Sequence, residues 1–230
     1  MCGLRSRLVV AVVCVCCRLL TASTAEAAPL RLQLVRAGHV STATCWLLHR
    51  QDDGGRIVLH FVTAGHLFKA PSGERLAAPD SIRVRMPDGR EIEVASRGIT
   101  LPASTVVDLA LIRATVTATS LVPLRVGFAP PLPGGEFEIA GLDEWDNPVD
   151  VAQRVRIKTS GLLLGDREAT KLSGCEGAPA IAAQAVFGIV VSCERGQVVV
   201  VSLLQLAESF MRHHVPGFDG SRVRPTEELR

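Results

Sequence analysis

About a dozen short apolar or alternating runs, each closed by a turn signal, fill residues 30–203, and no other feature of the chain restricts its fold so severely. The candidate strands are 32–36, 43–48, 56–63, 82–86, 91–95, 106–113, 121–126, 136–140, 154–159, 179–182, 186–192 and 198–202. Ile82-Arg83-Val84-Arg85-Met86 and Arg154-Val155-Arg156-Ile157-Lys158 place apolar residues on one face and cations on the other, the period of a half-buried strand. Residues 198–201 are continuously apolar, as in a strand buried on both faces. Asp53-Gly54-Gly55 and Pro87-Asp88-Gly89 carry the residues that accept a left-handed backbone and read as hairpin connections. The run Pro130-Pro131-Leu132-Pro133-Gly134-Gly135 can be neither helix nor central strand and reads as the junction of two halves. Many short strands at close spacing predict an all-β barrel or sandwich. A single helix is expected over 203–214, with Leu203, Leu206, Ala207, Phe210 and His214 forming one apolar stripe and Pro216-Gly217 stopping it. Residues 216–230 are polar and are expected to be a disordered tail.

The N-terminus predicts a secretory signal over residues 1–27. Arg5 and Arg7 precede the apolar run 8–17, and Ala25-Glu26-Ala27 supplies a small-x-small cleavage site. The run is about half of the ~20 residues a membrane span needs, and Arg18 ends it. The mature chain is therefore expected to be secreted or periplasmic, with no membrane attachment after cleavage. Losing Arg5, Arg7, Arg18 and Glu26 takes Lys+Arg from 25 to 22 and Asp+Glu from 23 to 22, so the remaining chain is formally neutral. A neutral chain with 4% aromatics and no tyrosine offers neither the basic face nor the stacking platform of a nucleic-acid binder. Cys45, Cys175 and Cys193 remain, enough for one internal disulfide with a thiol left over.

Three local patterns follow one another in a chemically suggestive order. Thr63-Ala64-Gly65-His66 ends one strand, Val107-Asp108-Leu109-Ala110-Leu111-Ile112 puts an aspartate at the start of another, and Gly174-Cys175-Glu176-Gly177-Ala178-Pro179 precedes a hairpin. An imidazole with a pKa near neutrality takes a proton from a weak nucleophile and later returns it, the role expected of His66. A carboxylate beside it fixes the imidazole tautomer and stabilises the imidazolium, the role expected of Asp108. The order His, Asp, nucleophile is that of one of the known triad arrangements.

In these motifs the chain resembles the trypsin-like (chymotrypsin-fold) serine peptidases, particularly short bacterial secreted forms, over about residues 32–214. T-A-G-H is similar to the family's T-A-A-H, V-D-L-A-L-I to D-I-A-L-I, and G-C-E-G-A-P to G-D-S-G-G-P. The resemblance implies two antiparallel six-stranded β-barrels, about 30–118 and 119–203, within a peptidase domain of 28–215 that ends in the C-terminal α-helix. It further implies a cleft between the barrels for a peptide or protein ligand, a monomer, no cofactor, and an oxyanion hole formed by the backbone N–H groups of Gly174 and Glu176.

Glu176 stands where the family motif has its serine, and the resemblance therefore implies an inactive homologue whose cleft survives for binding or regulation. The alternative is an active serine endopeptidase that uses Ser173 in a shifted register, or a lineage in which position 176 is ordinarily serine. The shift leaves Pro179 without its place in the motif. If 180–182 pairs with 187–189 around a turn near Gln184, Cys175 and Cys193 meet at the open end of that hairpin, close to where the family carries a disulfide; Cys45–Cys193 is the competing pairing. No new N-terminus of the I-V-G-G type is visible, and Cys175 occupies the place of the zymogen-activating aspartate. Thr170 falls near the base of the expected specificity pocket. His213 and His214 point in different directions on a helix, so a metal site there is not expected.

Overall fold

A computed structural model describes residues 28–70, 72–104, 107–127, 129–142, 148–159, 162–165, 174–194, 197–203 and 206–218, with 148–159, 162–165, 194, 197 and 206 described by their backbone alone. The proposed signal segment, Ser173, Thr170 and residues 219–230 lie outside that set.

Thirteen strands and one α-helix make up the described chain. The first sheet contains β1 (Leu30–Arg36), β2 (His39–Asp53), β3 (Arg56–Thr63), β4 (Ser81–Arg85), β5 (Glu91–Glu93), β6 (Ile99–Thr100) and β7 (Ala110–Val116), hydrogen-bonded in the order β5-β4-β1-β2-β3-β7-β6. The first half of β2 pairs with β1, from Arg36↔His39 to Leu30↔Cys45, and its second half pairs with β3, from Trp46↔Val62 to Asp53↔Arg56. Six strands were expected and seven are present because one strand is broken in two. A single 3-10 turn at Ser96–Gly98 separates β5, which pairs with β4, from β6, which pairs with β7. The hydrogen-bonded ladder is open between those two pieces, and the chain itself spans the gap.

The second half closes fully. Strands β8 (Glu136–Leu142), β9 (Pro148–Thr159), β10 (Leu162–Gly165), β11 (Pro179–Ala182), β12 (Ala185–Glu194) and β13 (Gln197–Ser202) form a barrel in the order β10-β13-β12-β11-β8-β9. Residues 121–126 are not a strand. Only Val126 makes an isolated parallel bridge, to Val186, and the segment serves as the connection between the halves.

Three buried clusters follow from the alternation. Leu32, Leu34, Cys45, Leu47, Leu59, Phe61 and Ile112 fill the first half. Phe137, Ile139, Ala180, Phe187, Val190 and Val200 fill the second. Trp46, Val62, Leu109, Leu111, Val186 and Ile189 pack where the halves meet. The helix α1 (Leu206–His214) caps that central cluster. Its buried residues are Ala207 and Met211, continued by Val215, with Phe210 half-buried beside them. His214 is exposed and does not belong to the stripe. The chain stays packed past residue 215: the Phe218 amide donates to the Val215 carbonyl at 3.1 Å, and Phe218 joins the central cluster. No helix among the described residues is long and apolar enough to cross a membrane.

Candidate active site

His66 sits in a single 3-10 turn, Gly65–Leu67, immediately after β3, and Asp108 lies two residues before β7 rather than within it. Because β3 and β7 are hydrogen-bonded neighbours, with Thr63 opposite Ala110, the two residues emerge side by side at the same end of the sheet. Asp108 engages His66 twice. Its Oδ2 lies 2.7 Å from His66 Nδ1, and its Oδ1 accepts the His66 backbone N–H at 2.5 Å. The second bond fixes the carboxylate, and the carboxylate fixes the ring, so that Nε2 is the nitrogen left to act on a neighbour. A Cβ on Gly65 would lie 2.8 Å from both the backbone N and O of Leu109, which is why this chain needs glycine before its histidine.

Lys69 completes the frame. Its side chain is buried, and its ammonium donates to the Val107 and Ser104 carbonyls, both at 3.1 Å. It therefore ties the stretch just before Asp108 to the segment that carries His66.

The 174–179 loop reaches this frame across the junction of the two halves. The Thr44 amide on β2 donates to the Glu176 carbonyl at 2.8 Å, and Thr44 Oγ1 donates to the Gly174 carbonyl at 3.1 Å. Thr63 Oγ1 donates to the Thr44 carbonyl at 2.8 Å, and the Gly177 amide to the Val190 carbonyl at 2.7 Å. Gly177 has φ +87, and a Cβ there would lie 2.1 Å from the Thr44 carbonyl oxygen. The backbone N–H groups of Gly174 and Glu176 donate to no acceptor among the described residues.

Sequence reasoning brought His66, Asp108, Gly174 and Glu176 forward, and the structure assembles all four in one place. Thr44 and Lys69 were missed, and Thr63 and Gly65 stood in the T-A-G-H motif without a role of their own. Thr44 reads as an ordinary strand former, and nothing in the local pattern marks a buried lysine. Ser173 lies outside the described residues, so its relation to His66 is not described.

Glu176 is half-buried, and its carboxylate forms no hydrogen bond or ion pair among the described residues. The direct His66–Glu176 ion pair that the two residue types suggest is thus not formed. The carboxylate acts on the imidazole through its field. The Asp108 hydrogen bond raises the His66 pKa above the ordinary value, burial opposes it, and the charges of Asp108 and then Glu176 raise it further. An NMR titration is expected to find His66 titrating high. Glu176→Gln should lower that pKa modestly and Asp108→Asn lower it more; a His66 titration unmoved by Glu176→Gln would show that the carboxylate does not face it.

Cys45, Cys175 and Cys193, the cysteines among the described residues, are free thiols. The expected Cys175–Cys193 bridge is not formed, although the two are close enough for Cys175 to influence the Cys193 thiol. Burial pushes the Cys193 pKa up, and the Glu176 charge and then the neighbouring Cys175 push the same way. Cys175 Sγ instead donates to the Leu142 carbonyl at 3.5 Å. Cys45 is fully buried in the first-half core, and burial raises its thiol pKa, with the Arg31 charge opposing. Among the described residues no cluster of His, Cys, Asp and Glu could hold a metal ion.

This architecture is that of the trypsin-like serine proteases. An inactivated protease paralogue of the scabies mite matches 80% of the chain over 93% of its own length, at 11% identity and TM-score 0.58. The Rv3671c protease of M. tuberculosis in its active form matches 81% over 80% of its length, at 18% identity and TM-score 0.58. The serine endoprotease from Yersinia pestis matches 81% over 62% of its length, at 15% identity and TM-score 0.58. No family model matches the sequence. No curated protein matches it either. At such identities the likeness establishes the fold, and the chemistry must come from the residues.

Proposed function

We propose that this chain is a secreted trypsin-fold protein that has lost serine-peptidase chemistry and retains the inter-barrel cleft for binding or regulating a peptide or protein. The observation that carries the reading is the side chain at position 176, on the loop that carries the free N–H groups of Gly174 and Glu176: it bears a carboxylate, not a hydroxyl. A serine hydroxyl needs His66 to remove its proton before it attacks, whereas a carboxylate is already deprotonated at neutral pH. Acylation of Glu176 would give a mixed anhydride in place of a serine ester. Its negative charge, carried on the same loop, also opposes the build-up of negative charge that the free N–H groups would favour. Supporting this reading, the His66–Asp108 pair and the loop backbone keep a peptidase-like arrangement around the altered side chain.

The test is fluorophosphonate labelling of the wild type beside Glu176→Ser and Ser173→Ala. Labelling confined to Glu176→Ser is expected, because the acceptor frame is built and only the hydroxyl is absent. Wild-type labelling that disappears in Ser173→Ala would sink the proposal and establish Ser173 as the nucleophile.

A further inference from the structure

We propose that an arginine-lined cavity beside the His66 turn binds a phosphate or sulfate monoester carried on a small organic body. The cavity has a volume of about 360 Å³ and is lined by Arg36, Arg75 and Arg97 together with the apolar side chains of Phe68, Leu76 and Pro79. Three arginines drawn from three separate segments line it: one at the end of β1, one in the loop before β4, and one in the 3-10 turn between β5 and β6.

Two of them are held by carbonyls rather than by carboxylates. Arg36 Nη2 donates to the Leu67 carbonyl at 2.6 Å and Nε to the Ala77 carbonyl at 3.1 Å, with the guanidinium 5.9 Å above the Phe68 ring. Arg75 Nη2 donates to the Ile99 carbonyl at 3.1 Å. These bonds orient the forks without neutralising them, and each fork retains further donors. None of the three arginines forms an ion pair among the described residues. Glu74, next to Arg75 in the chain, forms no ion pair among the described residues, and Asp80 accepts the Ala37 amide at 2.7 Å.

Three uncompensated cations around one cavity repel one another, and an oxyanion with several terminal oxygens relieves that repulsion while meeting planar guanidinium forks in their preferred geometry. The size and walls specify more than a bare ion. Small-molecule sites run from about 300 to 1,000 Å³ and combine a few placed polar groups with apolar walls. Phe68, Leu76 and Pro79 supply that wall. Phosphate and sulfate esters share the recognising chemistry, and the choice between them is left to the experiment.

The measurement is an amide NMR titration at low ionic strength with glucose 6-phosphate, glucose 6-sulfate, inorganic phosphate, inorganic sulfate and glucose. Saturable shifts at Phe68, Leu76 and Arg97 with at least one ester, and none with glucose, are expected. The tighter of the two esters identifies the source. The double variant Arg75→Gln/Arg97→Gln, altered only at exposed side chains, should weaken ester binding by about tenfold or more. Arg36 is kept because it also holds two backbone carbonyls. Absence of saturable shifts, inorganic ions binding as tightly as the esters, or an unaffected double variant whose melt matches the wild type would each overturn the proposal.

Discussion

Gly177→Ala is expected to destabilise the protein by upward of about 3 kcal/mol, the sum of a strained left-handed backbone and an overpacked contact. Residue 177 has φ +87, and the new methyl would lie 2.1 Å from the Thr44 carbonyl oxygen and 2.4 Å from Thr63 Oγ1. Neither neighbour can step aside. The Thr44 carbonyl belongs to β2, and it already accepts the Thr63 hydroxyl at 2.8 Å. The loop would have to lift, breaking the 2.8 Å bond from the Thr44 amide to the Glu176 carbonyl. Gly89→Ala is the matched control, since φ is +82 there and nothing lies within 4 Å of the added methyl. It should cost only the backbone strain, about 1–2 kcal/mol. Urea denaturation of both variants reads the difference, and equal losses would show that the loop is not docked on β2 as described.

The second large effect is a loss of stability in acid through His60. This residue is 3% exposed, its Nδ1 has no hydrogen-bond partner, and it faces His49 on β2 with ring centroids 6.1 Å apart. On β7 its register partner is Arg113. Burial first, then the His49 and Arg113 charges, push the His60 pKa down from 6.5 to about 4. The unfolded chain therefore binds a proton that the folded chain refuses between those two values. Stability is full above pH 6.5 and falls as pH falls toward 4, by about 3 kcal/mol at that limit. His49, also lowered by burial, acts in the same direction. His60→Leu removes the titrating group. Its urea midpoint should change little between pH 7 and 4 compared with the wild type, and parallel pH profiles would refute the assignment.

How much of this was legible in the sequence depended on the kind of signal involved. His66 and Asp108 stood out because a short motif fixes both the residue type and its place at a strand end. The exact start of the strand after Asp108 did not, since Val107 and Leu109 extend the apolar pattern while pairing begins only at Ala110. The short strand β10 went unread because three leucines between glycines are too brief for a period to appear. The helix stripe was misassigned at His214, where spacing alone cannot distinguish a buried position from the exposed one the structure gives it; Met211 and Val215 carry that face instead. Thr44 and Lys69 matter through partners distant in the chain, Glu176 and Gly174 for one, Ser104 and Val107 for the other. No local pattern records such partners.

One property of the loop bears on how such a protein arises. The hydrogen bonds that seat it on the first half run through the carbonyls of Gly174 and Glu176, and its tightest approach runs through Gly177. None of them touches the side chain at 176. Requirements of folding therefore leave that side chain free to change without disturbing the scaffold. On the reading proposed above, a single replacement at this position is then the shortest mutational route between a binding protein and a hydrolase.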